Sequence, residues 1–153
     1  MRKCILIKFL FLTIGIISFK TYAQNLTISA SGETGTSGSN WSITGNVLNI
    51  ANSGSASINS SVISNHLSNT GDLTINLPWQ SGVGRNININ NTIAFSGSSA
   101  RTLTFQSAND IVFANAAGIT SSTASLNVVL RSATTLGSPD NGSVKMDGVN
   151  IDT

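Results

Sequence analysis

The side chains that could do acid–base or ionic chemistry in this 153-residue chain are few. Asp72, Asp110 and Asp140 are the candidate acids, and Arg85, Arg101, Arg131 and Lys145 are the candidate cations for holding an acidic polymer. Cleavage of a glycosidic bond needs two carboxyl groups facing each other across it. No two acids here stand at i, i+2, where one strand face would bring them together. Asp72 and Asp110 each directly precede a short apolar-polar-apolar segment, and Asp140-Asn-Gly lies in a loop-like run. Aspartate in such places bonds neighbouring backbone and turns the chain. These residues are therefore expected to be corner and loop residues, and no catalytic residue is assigned.

Other site chemistries lack their complements. His66 is the only histidine and Cys4 the only cysteine, so a zinc ligand set cannot be assembled. The abundant serines lie in loop-like runs without a nucleophile elbow. Gly82-Val-Gly84 leads into an alternating segment, so a phosphate cradle would lack its helix N-terminus. Regular calcium-binding nonapeptides are absent. No cofactor and no metal are expected. Of the two tryptophans, Trp41 falls inside an alternating triplet and reads as core. Trp79 follows Pro78 in the longest loop, where an indole can stack on a sugar, and is the one candidate glycan contact.

These residues must be positioned after export. Met1-Arg2-Lys3 is basic, Phe9 to Phe19 is apolar, and Thr21-Tyr22-Ala23 puts a small residue before Gln24. That order is a signal peptide over residues 1–23, with cleavage between Ala23 and Gln24. Its apolar run of about eleven residues is well short of the roughly 20 that span a bilayer. Cleavage removes Cys4, so residues 24–153 carry no disulfide and rest on backbone hydrogen bonds and a core. It also removes Arg2, Lys3, Lys8 and Lys20, which leaves four cations against six acids, a net charge of −2 in place of +2. Nucleic-acid binding is therefore not expected. Charged residues are 9% of the whole chain against about 25% in an ordinary globular domain, so the surface is polar but largely uncharged.

From Gln24 onward no window repeats its apolar residues with helical spacing, and alternation dominates instead. Apolar-polar-apolar triplets begin at Leu26, Trp41, Leu48, Ala56, Leu73, Ile87, Leu103, Leu126, Val144 and Val149. In a strand the outer two members share one face, so each triplet buries two side chains and exposes one. The triplets are also ordered. Beginning at Leu48, Leu73, Leu103 and Leu126, spaced by 25, 30 and 23 residues, a leading triplet is followed by a second triplet and then an apolar position. Those second triplets start at Ala56, Ile87, Ile111 and Val144, and the third positions are Val62, Ile93, Ile119 and Val149. Leu26-Thr-Ile28 and Trp41-Ser-Ile43 form an earlier, imperfect copy.

A strand-only repeat of this length predicts an all-β fold, a parallel β-helix (β-solenoid) of about five coils stacked at about 4.8 Å. One inward column would be Leu26, Leu48, Leu73, Leu103 and Leu126, and the next Ile28, Ile50, Ile75, Phe105 and Val128. An outward ladder of Thr27, Asn49, Thr74, Thr104 and Asn127 would lie between them. The alternative is an antiparallel β-sandwich, for which Asp147-Gly148 and Asn141-Gly142 supply hairpin-type dipeptides.

The segment Ser107-Ala-Asn-Asp-Ile-Val-Phe-Ala-Asn-Ala-Ala-Gly-Ile119, with Leu126-Asn-Val-Val-Leu130 and Asp140-Asn-Gly-Ser-Val-Lys-Met-Asp-Gly-Val-Asn-Ile151, resembles the coils of filamentous-haemagglutinin-type exoproteins. These are large right-handed β-helical adhesins of bacterial surfaces. The resemblance covers residues 72 to 153 best, and the Asn-Pro-rich motif of members exported by a dedicated outer-membrane partner is absent. It implies a right-handed coil, outer-membrane export machinery, and localisation as a secreted or outer-membrane-associated cell-surface protein. Its partners would be a host-cell or matrix surface and glycans.

The function expected is that of a secreted or surface adhesin-like structural protein that presents loops and does not catalyse. The alternatives are a β-helical polysaccharide-acting lyase or hydrolase and an ice- or surface-binding solenoid. The sequence stops at Val149-Asn-Ile-Asp-Thr153 in a strand pattern, so residues 24–153 are expected to be a solenoid segment incomplete at its C-terminal end. An open coil presents unpaired backbone, and self-association or aggregation through that end is expected.

Overall fold

The computed structural model describes residues 24–51, 54–78, 85–133 and 142–153. Nine of the ten alternating triplets lie wholly in strands, and the tenth, Val149-Asn-Ile151, begins one residue early. In chain order the elements are β1 (Leu26–Ser29), β2 (Ser37–Gly38), β3 (Trp41–Thr44), β4 (Val47–Ile50), β5 (Ala56–Asn59), α1 (Ser60–Asn69) and β6 (Leu73–Leu77). They continue as β7 (Ile87–Ile89), β8 (Ile93–Phe95), β9 (Arg101–Ser107), β10 (Ile111–Phe113), β11 (Gly118–Ser121), β12 (Leu126–Arg131), β13 (Val144–Met146) and β14 (Asn150–Asp152).

The strands form three sheets, ordered β13-β10-β7-β1-β5, β14-β11-β8 and β12-β9-β6-β4-β3-β2. Each of the successive triples β6-β7-β8, β9-β10-β11 and β12-β13-β14 places one strand in every sheet. The fold is β-rich, and nine of its eleven strand pairings are parallel. The two antiparallel pairings, β2 with β3 and β3 with β4, make the third sheet mixed. The two-residue turn Gly45-Asn46 reverses the chain there, and its Gly45 has φ of 57°, a conformation that favours glycine. This pairing does not fit an antiparallel sandwich. Asp147-Gly148, one of the hairpin-type dipeptides, links β13 to β14, which belong to different sheets.

The core follows from the alternation. Leu26, Ile28, Ile87, Ile89, Leu103, Phe105 and Ile111 are fully buried, while the residues between them are half-buried. Burying one such side chain is worth about 1.5–3 kcal/mol, which offsets the cost of ordering short strands that have no stability alone. Trp41 joins this core as expected.

Three expectations need correction. First, there is a helix. Asn59 caps α1 by accepting the Ser61 N–H at 3.0 Å, and Arg101 Nε donates to the Leu67 carbonyl in its last turn at 3.1 Å. Val62, expected as a strand position, lies in α1 with Ile63 and Leu67, and all three are buried. With only three large apolar residues among serines and asparagines, α1 depends on packing against β8 rather than on propensity.

Second, the leading columns are shifted. Leu48 is in register with Ile75, Leu73 with Leu103, and Leu103 with Val128, whereas Leu126 aligns with Arg101. A two-residue slip leaves every side chain on its own face, so alternation cannot detect it. The outward columns are accordingly Val47–Thr74–Thr104–Val129 and Asn49–Asn76–Gln106–Arg131, not an unbroken Thr/Asn ladder.

Third, Leu26-Thr-Ile28 does not join the sheet of the other leading triplets, Leu48, Leu73, Leu103 and Leu126. β1 inserts between β5 and β7, with Leu26 aligned to Ala56 on one side and Ile87 on the other. Three triples, not five, therefore place a strand in all three sheets among the described residues.

The two ends of the strand stack differ. At one end the outer edge of β5 is bridged by Glu33, whose N–H donates to the Ser57 carbonyl and whose carbonyl accepts from Asn59, each at 2.9 Å. Gly32 permits this approach, since a Cβ there would lie 2.2 Å from the Ile58 carbonyl carbon. The outer edge of β4 is covered by β3, and α1 packs beside β8. At the other end, β12, β13 and β14 are the last strands of their sheets.

Candidate functional site

Asp110 lies immediately before β10, where the expected corner should be. Its Oδ1 accepts the Ser143 N–H at 2.8 Å and the Ser143 hydroxyl at 3.1 Å, and its Oδ2 pairs with Lys145 Nζ at 2.5 Å. The Lys145 hydrogen bond, with those from Ser143, holds the Asp110 carboxyl below the usual carboxylate range against the opposing effect of burial. Both carboxylate oxygens are thus engaged, one with Ser143 and the other with Lys145.

The same device repeats at every level of the first sheet. Asn25 N–H donates to Ser55 Oγ, Asn86 N–H to Asn25 Oδ1, and Asp110 N–H to Asn86 Oδ1, each at 3.1 Å. The residue preceding β5, β1, β7 and β10 thus uses a short polar side chain to satisfy the backbone N–H of its counterpart in the neighbouring strand. Asn109 Nδ2 adds a bond to Asn86 Oδ1 at 2.8 Å. Asp72 does the equivalent in the third sheet, its Oδ1 accepting the Thr102 N–H at 2.8 Å. Asn25, Ser55, Asn86 and Ser143 escaped the sequence reading, yet the signal was present: all stand one residue before a triplet.

The candidate cations do not converge. Arg85 is 1% exposed; its guanidinium donates to the Pro78 carbonyl at 2.8 Å and to the Gln24 side chain, and burial lowers its pKa. Arg101 is tied to α1, and Lys145 to Asp110. His66 Nε2 lies 3.2 Å from the Asp72 carbonyl. No group of three or more potential metal ligands occurs among the described residues. Ala23, Trp79 and Asp140 fall outside the described residues, while Gln24 is buried.

An open groove of about 640 Å³ lies between α1 and β8. Ser61, Ser64, Asn65 and Ser68 of α1 face Thr92 and Ser96 across it. No charged side chain lines it, so it offers hydroxyl and amide hydrogen bonds without a titrating group. That chemistry suits contact with a neutral polar ligand and does not suit proton transfer.

No family model, curated protein or solved structure matches this chain. Among the described residues no helix is long and apolar enough to cross a membrane.

Proposed function

We propose that residues 24–153 are a β-solenoid segment of a secreted or cell-surface, adhesin-like structural protein that presents loops and the uncharged groove without catalysing a reaction. The observation carrying this reading is the polar ladder Ser55, Asn25, Asn86, Asp110 and Ser143. A ladder of this kind fits coils stacked in register, and it employs the most plausible acid, Asp110, in holding backbone. The three triples that each supply a strand to every sheet support the same architecture. The right hand and the bacterial outer-membrane setting come from the resemblance to filamentous-haemagglutinin-type exoproteins.

The groove between α1 and β8 is where a neutral glycan of a host cell or matrix would be held, through hydroxyl and amide hydrogen bonds. The test is a glycan array probed with the exported chain, alongside a product assay on uronate polymers. Binding to neutral glycans that is lost in Asn65→Arg, with no product released, is the expected result. Polymer cleavage that survives purification would overturn it.

A further inference from the structure

Ser61, Asn65 and Asn69 of α1 are exposed and line two concavities at once, the polar groove against β8 and a second groove of about 350 Å³. Side chains four residues apart stand one above another on a helix, so these three form a single crest. The crest is the shared wall of the two grooves, and a ligand of more than one ring can lie across it.

The second groove has a different chemistry. Its lining includes Val62 of α1, Ile43 of β3 and the segment 34–36. Ile43 stands opposite Leu48 in the antiparallel pair of β3 and β4, and directly opposed residues share a sheet face, so it points the same way as the buried Leu48. Yet Ile43 is only half-buried, which leaves apolar surface open to the groove. The wall facing it is held in place: the Thr36 carbonyl accepts the Ile43 N–H at 2.8 Å, and Glu33 bridges to β5. No aspartate, glutamate, lysine or arginine lines this groove.

His66 gives the groove a polar group of defined character. Its Nε2 lies 3.2 Å from the Asp72 carbonyl, which can only accept, so Nε2 is the donor. In the neutral ring Nδ1 is then the acceptor.

We propose that the two grooves together hold one glycan chain that contains an N-acetylated sugar, with its hydroxyls in the polar groove and its acetamido group in the second. The acetamido methyl covers Ile43 and Val62, and its N–H is accepted by His66 Nδ1. Its carbonyl is matched by the donors Asn65 and Thr70 in the lining. A sugar with a hydroxyl in place of the acetamido group leaves the apolar lining wet. One with a free amine brings an ammonium to a groove that has no carboxylate to pair with it. This inference rests on the reading of the polar groove as a neutral-glycan site and adds which sugar the site selects.

The full chain, purified from the exported fraction, is titrated calorimetrically with tetramers of N-acetylglucosamine, glucosamine and glucose of the same linkage. The N-acetylated tetramer should bind about tenfold more tightly than the glucose tetramer, from one methyl buried and one N–H accepted. The glucosamine tetramer should bind no better than the glucose tetramer. Ser96→Arg, at an exposed position lining the polar groove, should weaken the N-acetylated and glucose tetramers alike. Thr36→Arg, at an exposed position lining the second groove, should remove the preference between them. Circular dichroism and thermal melting confirm that both variants are folded. Equal affinities in the native protein, or a preference that survives Thr36→Arg, overturn the acetamido inference and leave the neutral-glycan reading standing. Failure of every tetramer to bind overturns both. Tighter binding of an N-acetylated apolar tetrapeptide than of any sugar would place a peptide in the second groove and overturn the proposal.

Discussion

The Asp110 carboxylate holds the backbone N–H of Ser143, 33 residues further along the chain, at 2.8 Å. Asn86 holds the N–H of Asp110 in the same way, so the acid is one rung of a ladder whose other rungs are uncharged. What Asp110 adds is the ion pair with Lys145, whose side chain is 59% exposed.

Replacing Asp110 with Asn keeps an acceptor for Ser143 and loses only a solvent-screened ion pair. The expected cost is below about 1 kcal/mol. Asp110→Ala leaves the Ser143 N–H without its acceptor and should cost about 1–3 kcal/mol. Urea unfolding of the three proteins ranks them, and an Asn variant as damaged as the Ala variant would show that the charge, not the acceptor, matters.

The same carboxyl sets a pH dependence. Its pKa is lowered in the folded state, chiefly by Lys145, so its contribution is present above the unfolded-state value and is lost as pH falls through the folded value. The stability difference between the native chain and Asp110→Asn should therefore be constant near neutrality and shrink below about pH 4. Glu33 is shifted in the same direction by hydrogen bonds from the Ser39 hydroxyl, Trp41 Nε1 and the Ser39 N–H. Comparison with Glu33→Gln by unfolding at a series of pH values separates the two carboxyls.

Helix α1 depends on few contacts, so its cap should be sensitive. Asn59→Ala removes the acceptor for Ser61 and the donor to the Ala30 carbonyl, and should cost about 1–2 kcal/mol. Asn59→Ser retains a capping oxygen and should recover part of it. Thermal melting followed at a helix-sensitive wavelength distinguishes them.

Arg85 separates structure from catalysis. Arg85→Met leaves the Pro78 carbonyl and the Gln24 side chain without the guanidinium that holds them, and an expected cost of about 3 kcal/mol follows from breaking a buried charged network. Calorimetric melting measures it. A variant of unchanged stability would reopen Arg85 as a binding residue.

Alternation by itself determined which residues face inward, because a strand has a period of two and the apolar members of each triplet must share a face. Order along the chain also determined the grouping of second triplets: Ala56, Ile87, Ile111 and Val144 all begin strands of one sheet. The class of Asp110 and Asp72 as corner residues was legible for the same local reason, their position before a strand. Tertiary structure alone decided the rest. A slip of two residues preserves every face, so only three-dimensional packing chose Ile75 over Leu73 as the neighbour of Leu48. Only packing turned Ser60–Asn69 into a helix, since its intrinsic preference is weak and its stability comes from burying Ile63 and Leu67. The insertion of β1 between β5 and β7 was likewise invisible, because alternation says which way a side chain points and nothing about which strand lies beside it.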